Sequence, residues 1–181
     1  MNICVFCSAA HLEEKYTKPA VELARLIGER GHTFVWGGSR KGLMQHVADS
    51  ARKAGARLIG VSLERFKDVA YHDADELLTA KTLGERKDAM LQKSDAIVTL
   101  VGGLGTLDEI SEVLELKKQG AHNKALVVLN TEDFYAGLIT QLQKMQDDGL
   151  LPVKLDGLIH FARTPEDAID YIERHVSKST S

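Results

Sequence analysis

The sequence predicts an α/β fold, a three-layer αβα sandwich around a mostly parallel central sheet of about seven strands. Short apolar runs rich in β-branched residues alternate along the chain with longer amphipathic segments, the pattern of a sheet covered by helices on both faces. Glycines close several of the amphipathic segments, and two of the apolar runs empty into glycine turns that open onto helices.

Asn2 to Cys7 (NICVFC) reads as the opening strand, followed by a helical pattern over Glu13 to Arg30 that Gly31 stops. Thr33 to Trp36 is the next strand, and a glycine turn leads from it into a helix over Leu43 to Ala54, stopped by Gly55. Strands over Arg57 to Ser62 and Glu76 to Thr79 precede a helix over Leu83 to Lys93. Ala96 to Leu100 is short, apolar and β-branched, as a buried parallel strand should be, and a helix over Leu107 to Gln119 ends at Gly120. Strands over Ala125 to Leu129 and Leu158 to Ala162 alternate with helices over Phe134 to Asp147 and Pro165 to Glu173. In open sheets of this kind ligands collect at the carboxyl ends of the strands, so both glycine turns are expected on one edge.

With 181 residues and 44% apolar content the chain can bury a full core, and no linker or repeat divides it; one domain over 1–176 is expected, with a frayed polar tail over 177–181. A formal net charge of −3 argues against non-specific nucleic-acid binding and for a small-molecule partner. The absence of a signal pattern or a bilayer-length apolar run points to a soluble cytoplasmic protein with no membrane partner. Cys4 and Cys7 have C-x-x-C spacing, but on a strand residues three apart face opposite sides, so both are read as packing rather than redox groups. The seven histidines are scattered, so no metal site is indicated and no cofactor is expected.

The stretch from Ser94 to Glu109, SDAIVTLVGGLGTLDE, carries the most information. Gly102, Gly103 and Gly105 allow a tight turn and close approach of a ligand, and the unpaired amides at the start of the next helix favour an anion such as phosphate. Glu109 lies one helical turn inside that site; binding an anion does not require a carboxylate there, but bond cleavage can use one. Thr106 to Glu109 also fits a capping box, which would explain both side chains structurally. Asp108 stands where a dinucleotide fingerprint wants its third glycine. The other turn, Gly37 to Gly42, has P-loop spacing, but Leu43 and Met44 replace the phosphate-binding Lys and the metal-binding hydroxyl, which argues against an NTPase.

Taken together, GGSRKGLM, GERKDAM and VGGLGTLDE, in this order and at these intervals, resemble the LOG family of cytokinin-activating phosphoribohydrolases, many members of which are labelled lysine decarboxylase-like. The likeness runs from the opening strand to about Asn130. It implies a Rossmann-like fold and hydrolysis of the N-glycosidic bond of a nucleoside 5′-monophosphate, AMP or N6-prenylated AMP, to free base and ribose 5-phosphate. By that resemblance the catalytic pair is Arg86 and Glu109. Substrate and phosphate contacts fall on Ser8, Gly37, Gly38, Lys87, Gly102, Gly103, Leu104, Gly105 and Thr106. Without the resemblance, the Glu85-Arg86-Lys87 cluster reads as a solvated charged face. Val101, Ser39, Gln45, Leu83-Gly84 and Ser8-Ala9-Ala10 depart from the family's usual residues and bear on base preference rather than on reaction class.

Cleavage of such a bond builds positive charge on the sugar, which a carboxylate near the anomeric carbon stabilises; Glu109 can do this or take a proton from the attacking water. An alternative on the same fold is a non-catalytic nucleotide or molybdenum-cofactor carrier, in which Glu109 only caps a helix. A decarboxylase would require a Schiff-base lysine for pyridoxal phosphate, and nothing singles one out. Leu107, Ile110, Val113, Leu114 and Lys117 form a stripe expected to face the core, and the resemblance implies a homodimer interface nearby.

Overall fold

The structure, a computed structural model, describes residues 1–179. Seven strands form one parallel sheet: β1 (Asn2–Phe6), β2 (Thr33–Trp36), β3 (Leu58–Leu63), β4 (Glu76–Ala80), β5 (Ala96–Thr99), β6 (Ala125–Leu129) and β7 (His160–Ala162). Their order across the sheet is β4-β3-β2-β1-β5-β6-β7. Helices α1 (Glu14–Glu29), α2 (Gly42–Lys53), α3 (Leu83–Gln92), α4 (Leu104–Lys118), α5 (Ala136–Asp147) and α6 (Leu155–Leu158) lie in the crossovers, and α7 (Pro165–Ser179) follows the last strand. Ile3 pairs with Ala96 and Cys4 with Val35, in register on either side of β1.

Strand alternation sorts the core into two layers. Ile3, Val5, Cys7, Phe34 and Trp36 pack beneath α1, α2 and α7, whereas Cys4, Phe6, Val35, Ile97 and Val128 pack beneath α3 and α4 with Tyr135 and Ile159. The two cysteines therefore do face opposite layers, both buried as free thiols. No helix among the described residues is long and apolar enough to cross a membrane.

Several boundaries differ from the sequence expectation. α4 begins at Leu104 rather than Leu107, because extended Gly103 is its N-cap and the helix tolerates Gly105 in its first turn. Thr106 is thus inside the helix, its N-cap carries no side-chain hydrogen bond, and the expected capping box is not formed there. Leu107, expected in the core, is 40% exposed, while Lys117 is buried with its amine donating to the Lys124 carbonyl at 2.9 Å. The apolar run expected as a strand from Leu158 instead completes the short helix α6, where Leu155 N–H donates to the Gln146 side chain at 2.6 Å, and leaves β7 only His160 to Ala162. Of the tail expected at 177–181, Ser177 to Ser179 continue α7, and Thr180 and Ser181 lie outside the described residues.

α1 and α2 meet closely at Gly28, where an added Cβ would sit 2.6 Å from the Ala54 Cβ and 2.8 Å from the Ala51 carbonyl oxygen. Gly28→Ala is expected to lower stability by about 1–2 kcal/mol in urea unfolding, the overpacking outweighing the gain in helix propensity.

Candidate functional site

The direction of sheet growth reverses at β1: the chain builds outward through β2, β3 and β4, then returns to add β5 on the other side. A crevice opens at such a switch point, beyond the carboxyl ends of the strands. It is a cleft of about 450 Å³, floored by Cys7, Ser8 and Gly37 and walled by Arg86, Thr106 and Glu109.

Arg86 reaches it because α3 starts with a capping arrangement. The Thr82 hydroxyl accepts the Glu85 N–H at 3.1 Å, and the Glu85 carboxylate accepts the Lys81 N–H at 2.8 Å. The next side chain, Arg86, is 9% exposed and runs along the strand ends. Its Nε donates to the Val61 carbonyl at 3.0 Å and its Nη1 donates to Glu109 Oε1 at 2.8 Å. A Cβ on Gly37 would stand 2.1 Å from Nη2, so only glycine at that position leaves room for the guanidinium.

Glu109 is 6% exposed, in the second turn of α4. Burial pushes its carboxyl above the ordinary glutamate value, and the charge and hydrogen bond of Arg86 oppose that rise without cancelling it. The Cys7 thiol beside it is pushed up by burial and by the Glu109 charge, which keeps it protonated and unreactive.

The glycine turn supplies the other half of the cleft. Gly103 and Gly105 line it, and an added Cβ at either would meet nothing within 4 Å, so a ligand can approach the backbone there. The first amides of α4 lack side-chain caps and offer an anion site beside Glu109. Gly102 is packed against Thr106, whose Oγ1 lies 2.1 Å from where its Cβ would be. The Ser8 amide donates to the Val101 carbonyl at 3.2 Å and ties the end of β1 to this turn.

Among the residues singled out from sequence, Ser8, Gly37, Arg86, Gly103, Gly105, Thr106 and Glu109 line the cleft. Gly38, at φ 65°, packs instead on the backbone of β3, with its would-be Cβ 3.1 Å from the Val61 nitrogen. Leu104 points to solvent at 85% exposure. Lys87 turns away to Asp108, at 2.9 Å, and to Glu112, clamping α3 to α4. Leu83, read from sequence as bearing on base preference, does line the cleft, but the sequence reading did not assign the rest of its apolar wall, Met44, Leu63, Phe66 and Val69, to the site. Phe66 and Val69 sit on a 3₁₀ turn, Glu64–Val69, whose lack of periodicity gives no signal in sequence.

Residues 44–172 match the family described as possible lysine decarboxylase. The chain is 34% identical over 161 residues to the cytokinin riboside 5′-monophosphate phosphoribohydrolase of Mycobacterium tuberculosis, covering 87% of this chain and 86% of that one. It is 30% identical over 180 residues to the cytokinin riboside 5′-monophosphate phosphoribohydrolase LOG2 of Arabidopsis thaliana, covering 98% and 84%. Among solved structures, the molybdenum cofactor carrier protein of Chlamydomonas reinhardtii superimposes with a TM-score of 0.74 at 23% identity, covering 97% of this chain and 98% of that one. At that identity the likeness speaks for the fold alone.

The raised Glu109 carboxyl has a consequence for stability. A carboxyl raised in the fold stabilises it most below the unfolded value of about 4.3, and that contribution is lost as pH rises through the higher folded value. Glu109→Gln, which cannot titrate, is therefore expected to gain on the wild type in unfolding free energy as pH rises from about 4 through the higher folded value. A difference that stays flat with pH in urea titrations would contradict the raised carboxyl.

Proposed function

The chain belongs to the LOG family, described as possible lysine decarboxylase, and on that footing we propose that it is a phosphoribohydrolase of nucleoside 5′-monophosphates. Its substrate is AMP or an N6-prenylated AMP, and its products are the free base and ribose 5-phosphate. The observation that carries this reading is the buried Glu109 carboxylate, held by Arg86 at 2.8 Å in the same cleft as the uncapped start of α4. A site that only bound a phosphate would be weakened by a carboxylate beside it; a site that breaks a glycosidic bond uses one.

In this scheme the phosphate takes the amides of Gly103 to Thr106 and the Thr106 hydroxyl, so that binding energy far from the reacting bond positions the ribose. Positive charge then develops on the sugar as the bond from C1′ to the base breaks, and Glu109 stabilises it. A water adds its oxygen to C1′ and gives up one proton to Glu109; a proton equivalent passes back from Glu109, directly or through solvent, to the nitrogen of the departing base, which returns Glu109 to the carboxylate. Arg86 fixes the carboxylate in orientation, which its planar fork does better than a lysine. Ser8 and Gly37 form the floor beneath the ribose, with Gly38 holding its turn against the backbone of β3 and Gly102 holding the other against the Thr106 side chain. Lys87 neutralises Asp108 and Glu112 so that α4 keeps an anion-attracting end. The apolar wall of Phe66, Val69 and Leu83 faces the base. A carrier on the same fold has no use for the Arg86–Glu109 pair.

We further propose a cytoplasmic homodimer. Two free buried thiols suit a reducing compartment. Leu107, Leu114, Leu138, Leu142 and Met145 line an apolar groove of about 360 Å³ between α4 and α5, beside exposed Leu104 and Leu150. Leu107→Glu is expected to convert dimer to monomer in sedimentation equilibrium.

Incubating the protein with AMP and with N6-isopentenyl-AMP is expected to release base and ribose 5-phosphate in equal amounts; retention of intact nucleotide would refute the hydrolase. Adenosine, lacking the phosphate, is expected to be a far poorer substrate in kcat as well as KM. Arg86→Ala is expected to lower kcat/KM by about 10²–10³-fold and to move the acid limb of the pH profile upward, because the group that pulls the Glu109 carboxyl down is gone.

A further inference from the structure

The connection from β6 to α5 is strained in a way the fold does not need. Glu132 and Asp133 are consecutive non-glycine residues in the left-handed region, at φ 53° and 52°, in a 3₁₀ turn over Thr131–Asp133. Strain of this kind persists where surrounding structure enforces it and collects at functional sites. Tyr135, two residues beyond Asp133, is turned inward and buried. The Asn130 side chain holds the turn from both ends: its carbonyl accepts the Tyr135 N–H at 2.9 Å and its amide donates to Asp133 at 3.2 Å. Phe134 packs edge-on against the Tyr135 ring, centroids 5.0 Å apart, and against Tyr16 of α1 on its other side.

Tyr135 is 6% exposed, and its hydroxyl donates to the Leu100 carbonyl at 2.7 Å, where β5 gives way to the glycine turn. Burial pushes its phenol up, the nearby Gly102 backbone opposing that without cancelling it, so the hydroxyl keeps its proton and remains a donor. Leu100 and Gly102 flank Val101, whose carbonyl already takes the Ser8 N–H. The turn is thus held by β1 at Val101, by Thr106 at Gly102 and by Tyr135 from beneath.

We infer that Tyr135 is a positioning residue for the phosphate end of the site: through its hydroxyl and the strained turn that carries it, the β6–α5 connection sets the glycine turn in the form that binds the 5′-phosphate. This rests on the phosphoribohydrolase reading for the identity of the phosphate, but the turn's affinity for a sugar phosphate can be read without turnover. Tyr135→Phe keeps the ring packing and removes only the hydroxyl.

The experiment measures calorimetric binding of ribose 5-phosphate to wild type and Tyr135→Phe, together with kcat and KM for AMP and for adenosine. The variant is expected to bind ribose 5-phosphate about tenfold more weakly and to lose a similar factor in kcat/KM for AMP, with adenosine changed less than about twofold. A merely structural tyrosine would lower Tm yet leave the folded variant's affinity for ribose 5-phosphate unchanged, and that result overturns the inference. Equal losses on AMP and adenosine also overturn it, because the effect is then not at the phosphate end. If wild type binds ribose 5-phosphate but cleaves no nucleotide, the hydrolase reading fails while the binding comparison still decides the role of Tyr135. Wild type that binds no ribose 5-phosphate overturns the inference, while release of base from AMP still decides the hydrolase reading. Should Tyr135→Phe fail to fold, Asn130→Ala, which frees the Tyr135 backbone, is expected to show the same phosphate-selective loss, and its absence counts equally against the inference.

Discussion

The buried ion pair between Arg86 and Glu109 is the constraint around which the cleft is built. Taking two charges out of water costs several kcal/mol for each ion, and their attraction repays this only when geometry and further hydrogen bonds are good. The surroundings meet those terms. Gly37 has no side chain where the guanidinium passes, and Val61 presents its carbonyl to Nε. The Thr82 and Glu85 contacts start α3 at Leu83, three residues before Arg86. Stability alone would be served as well by an apolar pair of similar volume, so the retention of these charges in a cleft points to use rather than to architecture.

The same constraint explains how an anion site and a carboxylate coexist at one helix end. α4 carries Asp108, Glu109 and Glu112 close to its N-terminus, where the guest is negative too. Arg86 answers Glu109, and Lys87 answers Asp108 and Glu112. Consecutive residues of α3 thus neutralise the flank of α4, leaving its free amides for the guest. Placement at the β1/β5 switch point lets strand ends from both halves of the sheet contribute, with β1 and β2 giving the floor and β5 the turn.

Much of the fold was legible because periodicity and glycine stops are local signals: the seven strands and their order of alternation with helices lie close to where apolar runs and Gly31, Gly55 and Gly120 placed them. Boundaries fared worse where a glycine could be read two ways. Gly105 looked like part of a loop, but in the first turn of a helix its flexibility costs little, and α4 starts ahead of it. Of the candidate site, the motif drew attention to Arg86 and Glu109, which fold together across 23 residues of sequence. Lys87 shared the same motif yet faces α4, since adjacent helical residues point about 100° apart. Phe66 and Val69 of the apolar wall, and Tyr135, left no mark, because they come from 3₁₀ turns and from contacts distant in sequence.

The most direct test of the central claim is to load Glu109→Gln with AMP at equilibrium and analyse what is recovered. If Glu109 drives cleavage, the variant binds AMP and returns it intact while wild type under the same conditions yields adenine and ribose 5-phosphate. Cleavage by the variant at the wild-type rate would reduce the Arg86–Glu109 pair to a structural contact and contradict the account.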